Sequence, residues 1–130
     1  MLVTVTAFYA GLLALLYLFL GMRIPGMRRR LQVSLGDDGQ EALRRAVRMH
    51  GNAAETIPLG LILLLLVEML GWSIYVLNGI GLALLLGRIL HPIGLAVPGQ
   101  LWARVLGMVL TWLAILVAAA LCILSAISGW

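Results

Sequence analysis

The chain contains no lysine; all nine of its basic residues are arginine. It also has only five carboxylates and a single cysteine. Each shortage excludes something. One thiol, Cys122, makes neither an intramolecular disulfide nor a metal site, and within an Ala/Leu-rich run it reads as a packing residue. Charged residues at 11% against 63% hydrophobic exclude a soluble domain and indicate an integral membrane protein. A pI of about 10.2 raises nucleic acid as a partner. The arginines, however, hug the ends of apolar runs, where snorkelling and anionic lipid account for them, so no nucleic acid is expected. No internal repeat is visible beyond leucine-rich hydrocarbon.

What is present is four apolar stretches: Val3–Leu20, Thr56–Leu70, Trp72–Leu90 and Leu101–Ile127. A span takes about 20 residues, so four spans and their connections use up residues 1–130 as one domain. The expected fold is an all-α, four-transmembrane-helix bundle with no separate catalytic module. Seven arginines lie between the first two spans, and Arg88 and Arg104 flank the connection between the last two. The positive-inside rule then puts both arginine-bearing loops in the cytoplasm and both termini outside. The first span lacks a preceding basic residue and a small-x-small site, so it is not read as a cleaved signal peptide.

Local signals set the expected boundaries. Gly21, Pro25 and Gly26 should end the first helix, and Asp37 or Asp38 should cap the second, which runs from about Asp38–Gln40 to Leu70. Pro58 predicts a kink in it. The third helix should stop around His91–Pro92, and the fourth should begin near Gln100. The pairs Ala114/Ala118 and Ala10/Ala14 are candidates for close helix contact. Glu68, near the outer end of the second helix, is read as snorkelling or pairing locally.

The unusual segment is R-A-V-R-M-H-G-N-A-A-E-T-I-P, from Arg45 to Pro58, which continues directly into hydrocarbon. At about 100° per residue, Arg45, Arg48, Asn52 and Glu55 form one stripe that Glu41 extends, while His50 points elsewhere. Charges in a membrane cost about 2.5–3.5 kcal/mol each at its centre, so an inward-facing stripe is a candidate binding site. Depth counting brings Arg88, His91 and Arg104 to the same layer. Four arginines facing one glutamate suit an anionic ligand. Bland alternatives stand beside this: interface decoration by Arg45 and Arg48, Glu55 holding Arg88 or Arg104, His91 as a helix-end residue, and His50 as structural or solvated.

R-x-x-R-x-H-x-N-x-x-E followed by a proline, with Arg88-x-x-His91 and Arg104, resembles the MAPEG family, the membrane-associated proteins in eicosanoid and glutathione metabolism. The resemblance covers the whole chain in length, span count and arginine distribution, and points to a bacterial-type member in the inner membrane. It implies a homotrimer that binds glutathione between subunits and takes a lipophilic substrate from the bilayer. On that resemblance Arg48, Asn52 and Glu55 contact the charged ends of glutathione, Arg88 and His91 form the third-helix polar pair, and Arg45 belongs to the binding stripe. Arg104 is the catalytic residue that stabilises the thiolate, and Arg23 is a further, loosely aligned binding arginine.

The chemistry of the ligand agrees with this. Guanidinium groups pair with carboxylates, Glu55 suits an ammonium, and a nearby arginine favours the thiolate of an otherwise weak nucleophile. Three positions depart from characterised members: Gly51 in place of an arginine, Leu95 in place of a tyrosine, and Val105 in place of the serine of the prostaglandin E synthase branch. The departures argue against prostaglandin isomerase activity.

The resulting expectation is a glutathione-dependent transferase or peroxidase acting on lipophilic electrophiles. The alternative is a non-catalytic membrane protein that binds anionic lipid or a partner helix through the same pocket. A small drug/proton antiporter is disfavoured because the first span carries no carboxylate.

Overall fold

A computed structural model describes residues 2–129 of the chain. It contains four α-helices: α1 (Thr4–Leu31), α2 (Glu41–Met69), α3 (Ile74–Ala96) and α4 (Leu101–Ser128). All four are long and apolar enough to cross a membrane. At 1.5 Å per residue, 28 residues reach about 42 Å, against roughly 30 Å of hydrocarbon. Helices α1, α2 and α4 therefore overrun the apolar layer, and the overrun of α1 and α2 carries most of the arginines.

Helices α3 and α4 make the tightest pair; α1 and α4 each lie against both α2 and α3. Among the described residues α1 and α4 do not touch. The core is a column of aliphatic side chains, with Leu13, Leu64, Val67, Leu84, Ile80 and Ala118 all buried. The close approach of α3 to α4 comes from missing side chains. A Cβ on Gly87 would stand 2.7 Å from the Gly107 carbonyl oxygen, and one on Gly107 would stand 2.6 Å from the His91 nitrogen. Ala114 and Ala118 continue that seam and are buried, whereas Ala10 and Ala14 line a shallow apolar cavity between α1 and α2.

Two boundaries and one cap differ from the sequence expectation, while α2 starts where it was expected. Helix α1 does not end at Gly21–Gly26 but runs through Pro25 to Leu31, with Arg28, Arg29 and Arg30 in its last turn. Helix α3 continues through Pro92 to Ala96. A proline removes one hydrogen bond and strains one turn, and a helix bounded by favourable turns on both sides can absorb that loss. Neither aspartate caps α2: its N-cap is Gln40, without a side-chain bond. Asp37 instead accepts the Gly39 N–H at 3.0 Å and pairs with Arg44 at 2.6 Å, folding the α1–α2 loop onto the start of α2. Helix α2 runs without interruption through Pro58.

Glu68 neither snorkels nor pairs locally. It is buried, and its two carboxylate oxygens accept the backbone N–H groups of Val5 at 2.9 Å and Thr6 at 2.7 Å. The first N–H groups of a helix have no partner within it, and they carry its partial positive charge. A carboxylate from α2 satisfies two of them and ties the two helices at the arginine-poor side. Nearby, the Tyr9 hydroxyl donates to Asn78 Oδ1 at 3.1 Å, and Trp72 Nε1 donates to Ser125 Oγ at 2.9 Å.

Candidate functional site

The polar layer near the arginine-bearing ends is organised around Arg88. Its side chain leaves α3 into the bundle and is only 3% exposed. Nε donates to Thr111 Oγ1 of α4 at 3.0 Å. Nη1 donates to Asn52 Oδ1 and, at 3.1 Å, to Thr56 Oγ1, both on α2. Each threonine is oriented in the same way: its hydroxyl donates to the carbonyl four residues earlier, Thr56 to Asn52 and Thr111 to Gly107, both at 2.8 Å. That leaves an oxygen lone pair aimed at the guanidinium. Three helices thus meet on one side chain.

All of these acceptors are neutral. The three ion pairs among the described residues are Arg44–Asp37, Arg45–Glu41 and Arg48–Glu55, and none includes Arg88 or Arg104. Burial of an unpaired charge is costly unless hydrogen bonds or a counter-charge offset it. Here hydrogen bonds hold the geometry, and the positive charge remains uncompensated.

The α2 stripe forms, but it is not turned wholly inward. Asn52 reaches Arg88, whereas Arg48 and Glu55 stand 3.9 Å apart with side chains about 60% exposed (61% and 60%). Glu55 thus holds neither Arg88 nor Arg104 in an ion pair; it faces Arg48. Arg45 pairs with Glu41 one turn back. His50 lies off the stripe: its ring packs against Tyr17 of α1 at 4.5 Å between centroids and covers Gly21, so its role is packing.

His91 is buried one turn beyond Arg88, and it lies within electrostatic reach of Arg88, Arg104 and Arg48. Its Nδ1 is buried without a hydrogen-bond partner among the described residues. Arg104 is exposed on the first turn of α4, whose backbone rests directly on Gly94 of α3. The layer therefore gathers Arg48, Asn52, Glu55, Arg88, His91 and Arg104 from three helices, with α1 contributing none. Sequence reasoning missed Thr56 and Thr111. Thr56 sits one turn after Asn52 and Thr111 two turns after Arg104, so helical spacing from the stripe was the available signal.

Such an arrangement can bind an anion against fixed positive charge and accept an ammonium at Glu55. Comparison with known proteins agrees with a membrane protein. The chain is 38% identical over 112 residues to the inner membrane protein YecN of Escherichia coli strain K12, covering 86% of this chain and 85% of that protein. The inner membrane protein YecN of Escherichia coli O6:H1 matches equally, at 38% over 112 residues. No solved structure matches the chain. The model of the MAPEG family matches residues 6–124. The chain is an integral membrane protein and belongs to the MAPEG family.

Proposed function

We propose that this protein is a glutathione-dependent transferase or peroxidase acting on lipophilic electrophiles, working as a homotrimer in a bacterial inner membrane with both termini outside the cytoplasm. One observation carries the reading. Arg88 is buried with neutral acceptors only, and on the same stripe of α2 as its partner Asn52, Arg48 and Glu55 are left largely exposed just ahead of the apolar run that begins at Thr56. A charged pair in that position calls for a cover, and a zwitterionic peptide between subunits supplies one. Family membership supports glutathione as that peptide, and the name of the YecN relative supports the inner membrane.

The residues fit the groups they would hold. Arg48 offers a guanidinium to a carboxylate, and Glu55 offers its carboxylate to the ammonium. Asn52 has its oxygen engaged by Arg88 and keeps its amide N–H groups for the ligand. The unpartnered Nδ1 of His91 offers one more polar contact. Arg45, the outermost arginine of the stripe, is balanced by Glu41 and offers its guanidinium to a ligand carboxylate in exchange for that partner. Arg104 is the catalytic residue: its guanidinium beside the sulfur favours the thiolate over the thiol. The thiolate sulfur forms a bond to the electrophilic carbon, and the bond to the leaving group breaks with its electron pair.

A second reading, the binding of anionic lipid or a partner helix in the same pocket without catalysis, is favoured by Gly51, Leu95 and Val105, which make the pocket plainer than in characterised members. Spectroscopic titration of the purified protein with glutathione separates the two. The enzymatic reading expects thiolate absorbance to appear in the wild type and to vanish in Arg104→Ala. Absence of thiolate in the wild type rules that reading out.

A further inference from the structure

A second cavity shares no lining residue with the Arg88 network. It is an apolar groove of about 240 Å³ between α1 and α3, lined by Leu16, Leu20, Ile89 and Ile93, with Met49 of α2 in its wall. Leu16, Leu20 and Arg23 lie at helical spacing along one face of α1, so the groove runs from hydrocarbon towards the arginine-bearing end and finishes at Arg23. There it continues into a smaller chamber of about 160 Å³, sharing Arg23, Met49 and Ala96 as walls and adding Arg45. An apolar slot therefore adjoins a chamber walled by Arg23 and Arg45 together with methionine and alanine side chains.

The charge at that end is not neutralised from within. Among the described residues no carboxylate stands within 4 Å of Arg23; its guanidinium lies 5.8 Å from the centre of the Phe19 ring, whose edge borders the groove. Arg45 has Glu41, so the chamber keeps one net positive charge. Arg28, in the last turn of α1, adds to the positive field on the same side. Of the residues tied to glutathione, Arg45 borders the chamber, and Arg23, the loosely aligned binding arginine of the resemblance, borders both chamber and groove; Arg48, Asn52, Glu55, Arg88, His91 and Arg104 line neither.

We propose that this groove and chamber hold one anionic phospholipid from the leaflet on the arginine-bearing side, with an acyl chain along the groove and the phosphate between Arg23 and Arg45. Amphiphilic shape and charge complementarity carry the assignment. A zwitterionic lipid brings an ammonium into a chamber that is already positive, and a free phosphate leaves the groove unfilled. Such a lipid would bridge α1 and α3 at the arginine-bearing end.

The test is native mass spectrometry of the full-length protein in mild detergent with dioleoyl-phosphatidylglycerol as the probe, against dioleoyl-phosphatidylcholine, oleate and inorganic phosphate. Wild type should retain phosphatidylglycerol in preference to phosphatidylcholine. Arg23→Gln and Arg45→Gln should each weaken retention about fivefold, the effect of one basic side chain at a lipid surface. Ala96→Phe, which narrows the junction without touching charge, should weaken it as well. Each variant is checked for unchanged helicity, and the arginine variants decide alone if Ala96→Phe does not fold. Equal retention by wild type and both arginine variants overturns the proposal. So does equal retention of the two phospholipids, or displacement of phosphatidylglycerol by equimolar oleate or phosphate. Glutathione is absent throughout, so failure here leaves the glutathione site untouched.

Discussion

The Nε of Arg88 and the hydroxyl of Thr111 meet at 3.0 Å in the interior of the bundle, and that hydroxyl is already committed as a donor to the Gly107 carbonyl. The threonine therefore serves Arg88 purely as an acceptor. Thr111→Val keeps the shape and removes the acceptor, leaving a buried N–H of a charged group unpaired. It should destabilise the protein by about 1–3 kcal/mol, whereas Thr111→Ser should lose less. Unfolding in detergent micelles measures both.

Glu68 makes a second interhelical tie, at the opposite side of the membrane layer. Its carboxylate holds the N-terminal N–H groups of Val5 and Thr6. Glu68→Gln keeps one acceptor oxygen and loses the charge, and should cost about 1 kcal/mol; Glu68→Ala strips both bonds and should cost about 2–3 kcal/mol. Amide exchange at Val5 and Thr6 should accelerate in both variants, with the centre of α2 unaffected.

The seam between α3 and α4 allows no added atoms. Gly107→Ala puts a Cβ against the His91 backbone and the Gly87 carbonyl, and backbone cannot swing aside as a side chain can. Overpacking of this kind costs about 1–3 kcal/mol. It should also shift Arg104 relative to His91, so glutathione affinity should fall further than after Ala119→Gly, on the far part of α4.

The α1–α2 loop is latched by Asp37. The Arg44 guanidinium beside it, and then the Gly39 N–H, hold its carboxyl below the usual carboxylate range. A carboxyl lowered in the folded state adds stability that is present above its unfolded pKa, about 3.9, and is lost as pH falls through the folded value. Neutral pH therefore keeps the latch closed. Asp37→Asn should open it there, seen as faster proteolysis between Gln32 and Gln40 with the helices intact.

Much of this was legible in the residues. Four spans, the start of α2 and the convergence of Arg48, Asn52, Arg88, His91 and Arg104 on one layer follow from hydropathy, helical spacing and depth. The missed features are those settled by neighbours. Pro25 and Pro92 read as terminators because local sequence cannot reveal whether the next turns are worth keeping. Thr56, Thr111 and Glu68 look unremarkable alone and acquire roles only when another helix brings Arg88 or a helix N-terminus to them. Helical geometry put the stripe on one face but left open its exposure, which leaves Arg48 and Glu55 at the surface of the single chain.

The central claim is that this stripe, with Arg88 behind it and Arg104 beside it, binds glutathione. The most direct measurement is the thermal unfolding midpoint of the purified protein in detergent as glutathione is raised to millimolar concentration, for wild type, Arg48→Gln and Glu55→Gln. The account predicts a saturable upward shift in wild type, about 2.7 kcal/mol of added stability at a hundredfold excess over Kd, and its loss in both variants. No shift in wild type, or an equal shift in all three proteins, would contradict it.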